Sequence, residues 1–220
     1  MLMVVANVVS QDHIPALREK ILALKYVDGT QTAGWHAKLV KNNLQADRAQ
    51  PGFAELNKAV TDALLNNQTV RIAARPKAVT PLLFSKYSGG MTYGTHVDDA
   101  VIMGVRSDVS FTLSLTDSDA YQGGELVMET PGGEQAFKLP AGHLILYPST
   151  TLHRVNPVTS GERLAAVGWM QSAIRDAHAR EILYDLEIAR RGIFDKQGKT
   201  REFDLLSKAT ANLQRLWAEV

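Results

Sequence analysis

Between Thr69 and Met170 the chain breaks into short runs rich in Val, Ile, Leu, Thr, Phe and Tyr, each closed by a turn signal. SGG begins at 88, QGG at 122, PGG at 131, PAG at 140 and SG at 160. Strands at this spacing restrict the segment to an all-β sandwich or barrel. FTLSLT and GELVME alternate apolar with polar residues, as a half-buried strand does, whereas HLILYP reads as covered on both faces. The paired glycines Gly123 and Gly124 predict a hairpin, because they accept positive φ at no steric cost. Glu125 beside them is expected in solvent.

The flanks have a different period. SQDHIPALREKILAL sets Ile14, Leu17, Ile21 and Leu22 on one helical face, with Pro15 tolerable in the first turn. PGFAELNKAVTDALLNN repeats the pattern with Phe53, Leu56, Val60 and Leu64, after Pro51. SAIRDAHAREILYDLEIARR and EFDLLSKATANLQRLWAEV are helical and are joined by a turn-rich GIFDKQGKT. We therefore expect residues 1–172 to form a β domain with its N-terminal helices, and residues 173–220 to form a helical extension. At 220 residues, 45% hydrophobic and 21% charged, the chain suits one well-buried domain with a small appendage.

Composition excludes some chemistries. Without cysteine there is no disulfide, thiolate metal site or cysteine nucleophile, so His, Asp and Glu are the available strong ligands. A formal net charge of +1 with no basic block gives no reason to expect nucleic acid as a partner. The opening MLMVVANVVS lacks a basic leader and turns polar within ten residues, which predicts a first strand in a cytoplasmic protein with no membrane span.

THVDDA, residues 95–100, carries the chemical signal. If His96 and Asp98 share a strand, they face one side roughly 7 Å apart and can bind one metal ion. Asp99 then points the other way, toward solvent. A third ligand has to come from elsewhere, and His36, His143 and His153 are the candidates. His143 follows the glycine of PAGH at the start of an apolar run, which suits a structural role. His153 opens a strand after a proline-led turn, which suits the mouth of a barrel. His13 and His178 fall on helix surfaces. Two histidines and a carboxylate with open positions make the facial triad typical of non-haem Fe(II) oxygenases. Arg163, across SGE on the next expected strand, enters an apolar run where a guanidinium needs an anionic partner, and its fork fits a carboxylate.

YSGGMTYGTHVDDA, QGGELVM and PAGHLILYPSTTLHRVNPVTSGERLAAVGWMQS together resemble the Fe(II)/2-oxoglutarate dioxygenases of the prolyl-4-hydroxylase type. With the helical tail, the chain is similar to the bacterial PKHD-type hydroxylases in particular. The resemblance covers about residues 80–172 and rests on His-x-Asp, GGEL, PxxxLHxVxPV and GxR in that order. It implies a mostly β core in a double-stranded β-helix (jelly roll), flanked by N-terminal helices and a C-terminal helical pair. It further implies iron at His96, Asp98 and His153, and 2-oxoglutarate held by Arg163 with Tyr87 as a hydrogen-bond donor. Tyr93 would line the iron site, Trp169 would form a pocket wall, and ascorbate would serve as reductant. The implied reaction is decarboxylation of 2-oxoglutarate to succinate and CO2 with hydroxylation of an unidentified substrate.

Two other readings use the same residues: a cupin-like metal enzyme that works without O2, and a metal- or oxoacid-dependent sensor. Neither needs 2-oxoglutarate to be consumed with O2. The segment 34–47, GWHAKLVKNNLQAD, is the expected contributor to substrate specificity, anchored at Trp35. In the tail, Leu205, Leu206, Ala209, Leu213, Leu216 and Trp217 form one apolar stripe, and Ile182, Leu183, Leu186 and Ile193 form another. Such faces must cover the barrel or form a homodimer contact.

Overall fold

A computed structural model describes residues 1–219, so Val220, the last residue of the expected final helical segment, lies outside the described residues. Among the described residues there are five α-helices: α1 (Ile14–Leu22), α2 (Phe53–Asn66), α3 (Gln68–Ala74), α4 (Ala177–Gln197) and α5 (Arg201–Trp217). The strands begin with β1 (Met3–Val5), β2 (Tyr26–Asp28), β3 (Lys41–Asn42), β4 (Leu44–Ala46), β5 (Pro76–Val79) and β6 (Leu83–Ser88). They continue with β7 (Thr92–His96), β8 (Val101–Ile102), β9 (Val105–Arg106), β10 (Val109–Ser114) and β11 (Tyr121–Gly123). The last are β12 (Leu126–Thr130), β13 (Gly133–Phe137), β14 (Leu144–Pro148), β15 (His153–Val155) and β16 (Val158–Ser172).

Two large antiparallel sheets and the two-stranded β8–β9 hairpin result among the described residues. The larger runs β1-β14-β10-β16-β6-β4-β2, with β5 and β11 also on β16, and the smaller runs β13-β12-β15-β7-β3. The strand patterns explain the layers. In β14 every residue from Leu144 to Tyr147 is buried, and the two faces of the strand feed different cores. Leu144 and Leu146 join Phe111 and Leu113 in the cluster that also takes α2 through Phe53, Leu56, Val60 and Leu64. Ile145 and Tyr147 join Leu126, Met128 and Val155 in a second cluster between the sheets. Each large apolar side chain buried in this way contributes about 1.5–3 kcal/mol. The site described below lies at one end of the second cluster.

Several expectations are corrected. Thr69 does not open the β region: it lies in α3, which Asn67 caps by accepting from Val70 N at 3.1 Å. Arg75 in the left-handed region and Pro76 after it end that helix. Gly123 and Gly124 do not close a hairpin, because β11 pairs with β16 in the larger sheet while β12 pairs with β13 and β15 in the smaller one. Their positive φ values, 71° and 68°, carry the chain from one sheet to the other, where a Cβ at Gly123 would collide with Pro157 O. SGE is not a turn between strands either, since β16 runs through it and bends at Gly161. GIFDKQ extends α4, which leaves Gly198 to Thr200 as the only break before α5.

The tail is tied to the core. Ile174 pairs with Ala218, and Arg106 reaches Asp108 at 2.8 Å and Glu219 at 2.7 Å. Ile174, Ala179 and Leu183 are buried with Leu213 and Trp217 packed against them. In α5 only Thr210 is buried, and Leu205 and Leu216 are exposed, so the expected stripe is only partly covered. Among the described residues no helix is long and apolar enough to cross a membrane.

Candidate metal centre

The smaller sheet sets the two histidines opposite one another, because β15 pairs with β7 in the register His153↔His96. Their ring centroids are 4.3 Å apart. Asp98 is not on the same strand as His96, as the sequence led us to expect, since β7 ends at His96. Two residues of loop bring its carboxylate back, with Oδ2 3.9 Å from His153 Nε2. One ligand atom from each of His96, Asp98 and His153 lies within 4.8 Å of the others.

The surroundings fix these groups. His96 Nδ1 lies 2.8 Å from Gly94 O and His153 Nδ1 2.9 Å from Thr151 O, so each Nδ1–H is donated to a carbonyl and Nε2 is the free lone pair. Burial, then the neighbouring His153, holds the His96 imidazole well below its ordinary pKa, which keeps it neutral and able to ligate. Ser110 Oγ donates to Asp98 Oδ2 at 2.6 Å and lies 2.7 Å from the buried Ser149 Oγ. Tyr93 stacks on His96 with centroids 3.6 Å apart.

These groups share a cavity of about 380 Å³ that opens between the segment around Gly34 and the β8–β9 hairpin. Arg163, Tyr87, Tyr147, Thr112 and Trp169 line it from the larger sheet. Arg163 is buried and sits opposite Tyr87 in the β16–β6 register, its guanidinium 5.2 Å from the Tyr87 ring. Its Nη1 has no hydrogen-bond partner, and no acidic side chain of the described residues pairs with it. Trp169 Nε1 is likewise buried and unpartnered. Burial raises the Tyr87 and Tyr147 hydroxyl pKa values, so both are protonated donors.

Of the other histidines, His36, His13 and His178 are exposed, and His143 is half-buried outside the cluster. Asp99 is exposed but lines the cavity mouth against Gly34, so it is not merely a solvated residue on a far face. Trp35 anchors nothing, being 79% exposed. Lys41 and Asn43, within the segment 34–47 expected to contribute to specificity, line the cavity, as do Arg48, Thr112 and Tyr147, which sequence reasoning missed.

Comparison with known proteins decides the family. A PKHD-type hydroxylase of Picosynechococcus is 53% identical over 98% of both chains. The chain belongs to the PKHD-type hydroxylases. A second member of the family, from Gloeothece citriformis, is 52% identical over the full length of both chains. The 2OG-Fe(II) oxygenase superfamily matches residues 82–171. Among solved structures, a Pseudomonas putida prolyl-4-hydroxylase shares the fold with a TM-score of 0.56 at 21% identity, over 78% of this chain and 92% of that one. This PKHD-type hydroxylase is thus an Fe(II)- and 2-oxoglutarate-dependent oxygenase built on a double-stranded β-helix, as its sequence motifs led us to expect. Family membership sets aside the cupin-like and sensor readings.

Proposed function

We propose that His96, Asp98 and His153 hold the ferrous ion, and that Arg163 receives the distal carboxylate of 2-oxoglutarate in the same cavity. One observation carries this reading: a cluster of two imidazoles and one carboxylate shares its cavity with a buried guanidinium that has an unpartnered nitrogen. Three donors of this type leave open positions for a chelating 2-oxo acid, and an unpaired buried cation is unfavourable unless an anion meets it.

When bound, the ferrous ion would supply the chemistry by which O2 oxidises both 2-oxoglutarate, to succinate and CO2, and the substrate, to its hydroxylated product, with one oxygen atom entering each. The chain supplies order. Gly94 O and Thr151 O hold both imidazoles with Nε2 inward, and Ser110 fixes the Asp98 carboxylate. Tyr87 donates beside Arg163 to the same co-substrate carboxylate, Tyr93 shields His96, and Trp169 walls the cavity with its free N–H. Ascorbate is the proposed reductant that keeps the metal ferrous, and the cytoplasm the proposed compartment. The partly uncovered outer face of α5 is proposed to meet a second copy of the chain, because Leu205 and Leu216 are exposed there.

The test is metal binding. His96→Ala, Asp98→Ala and His153→Ala should each abolish 2-oxoglutarate-dependent succinate release and weaken Mn(II) binding, read by its paramagnetic resonance. His143→Ala should bind Mn(II) as the parent does. Equal loss at His143 would overturn the assignment of the third ligand.

A further inference from the structure

Lys41 and Arg48 lie in the cavity without any acidic partner in ion-pair contact among the described residues. Lys41 is only 7% exposed, and the one hydrogen bond of its Nζ goes to Thr32 Oγ1 at 3.1 Å, with the Tyr93 ring centroid 4.9 Å away. Arg48 places Nη1 3.2 Å from Met103 Sδ and Nη2 3.4 Å from Pro81 O, and its Nε is buried and unpartnered. Each cation is close enough to feel the other, a repulsion that adds to the loss of hydration. Asn43, buried on the same wall, leaves both its side-chain nitrogen and oxygen without a partner.

We propose that the primary substrate carries a single carboxylate, which Lys41 and Arg48 receive in the outer part of the cavity; this rests on the oxygenase reading of the inner part. The charges support a monoanion. Iron with Asp98 carries one positive charge, which with Arg163 balances the two negative charges of 2-oxoglutarate. What is left on the cavity lining is Lys41 and Arg48 against Asp99, an excess of one positive charge. Asp99 is at the exposed mouth, where water screens it, whereas Lys41 is desolvated and its charge acts through a lower dielectric. Burial lowers the Lys41 pKa to about 8 despite the opposing influence of Asp98, so the site holds a cation that an arriving anion would stabilise.

The mouth adds a second requirement. Val97, Val101 and Met103 line it and are 38%, 63% and 57% exposed. Met103 takes φ 51° in the two-residue turn between β8 and β9, followed by Gly104 at φ 77°, so a non-glycine residue sits in the left-handed region beside Arg48. The substrate therefore presents an apolar body to the rim and its carboxylate to the cations beneath.

A matched probe pair, 4-phenylbutanoate and 4-phenylbutanamide, tests this on the full chain loaded with Mn(II) and 2-oxoglutarate, with binding read by calorimetry. The acid should bind roughly tenfold or more tightly than the amide, as charge-assisted hydrogen bonds imply. Lys41→Met and Arg48→Met should each bring the ratio close to one, and the acid preference should persist in Arg163→Met, which is assayed without 2-oxoglutarate. Equal binding of acid and amide, no binding of the acid, or a preference that survives both Lys41→Met and Arg48→Met overturns the proposal. So does a preference lost only with Arg163→Met, which would put the carboxylate on the inner arginine. Failure of the parent protein to bind Mn(II) with 2-oxoglutarate is scored separately and counts against the inner-site assignment, because the acid preference in Arg163→Met is measured without 2-oxoglutarate.

Discussion

Replacing Arg163 with Met removes a charge without opening a large hole, and the structure gives the change two opposite consequences. With 2-oxoglutarate present, the variant loses a buried charge pair, a loss of about 2–5 kcal/mol, or roughly 30-fold to several-thousand-fold in Kd. Without it, the parent holds a guanidinium that is 6% exposed, with Nη1 unpartnered and the centroid of the Tyr87 ring 5.2 Å away. Removing an unsatisfied buried donor relieves about 1–3 kcal/mol, while losing the cation–π contact costs about 0.5–2 kcal/mol. At mid-range these nearly offset one another, so the ligand-free variant should stay within about 1 kcal/mol of the parent, or about 2–4 °C in Tm for a chain of this size. Calorimetric titration of 2-oxoglutarate into Mn(II)-loaded protein measures the first effect, and a thermal scan of ligand-free protein the second. An affinity within threefold of the parent would move the anchor elsewhere. A ligand-free variant destabilised by several kcal/mol would show instead that Arg163 is a structural cation.

Three further outcomes follow from the same geometry. Ser110→Ala should lower Mn(II) affinity about 10–100-fold, because Asp98 loses the Ser110 hydroxyl as donor, and an unchanged affinity would show that the loop alone orients the carboxylate. In metal-free protein the His96 pKa lies below its unfolded value, so the unfolded chain takes up that proton first. Stability should therefore be full above about pH 6.5 and decline as pH falls toward the folded pKa; denaturant midpoints that fall no more steeply in the parent than in His96→Asn would contradict this. Full-length protein should scatter light as a dimer and Leu216→Glu as a monomer, and a parent that is monomeric at high concentration refutes the contact proposed for α5.

Local pattern told more about where strands and helices lie than about how the chain passes between them. α2 is legible because Phe53, Leu56, Val60 and Leu64 recur at helical spacing and all four are buried. α3 is not, because Thr69, Val70 and Ile72 are β-branched and seven residues cannot show a period. Its signals were the Asn67 cap and Pro76, both readable in principle. A glycine marks positive φ, but not whether the chain reverses. Gly161 bends a continuous strand, where a Cβ would collide with Ala120 O, while Gly123 and Gly124 move the chain between sheets. Deciding between these outcomes takes the pairing partners, which are distant in sequence: Tyr121 of β11 lies opposite Gly161 of β16, and Leu126 of β12 opposite Val155 of β15.

The same limit separates the metal cluster from the outer cations. His96 and Asp98 announce themselves by spacing, and His153 by its context, because ligand chemistry restricts which residue types can appear there. Lys41 and Arg48 sit in KNNLQADR, where the sequence points to the segment 34–47 as a contributor to specificity but singles out neither residue, and Arg48 lies just beyond it. What removes Lys41 from solvent is register: β3 pairs with β7 so that Lys41 lies opposite Tyr93, and Tyr93 in turn stacks on His96. A two-residue strand sets that pairing, too short to carry any alternation of its own. Arg48 reaches the same cavity because the β8–β9 hairpin, through Met103, folds over it from 55 residues away in sequence. The chemistry that a family shares is therefore written in residue identities, whereas the groups that would choose a substrate are ordinary residues made special by what the fold lays beside them.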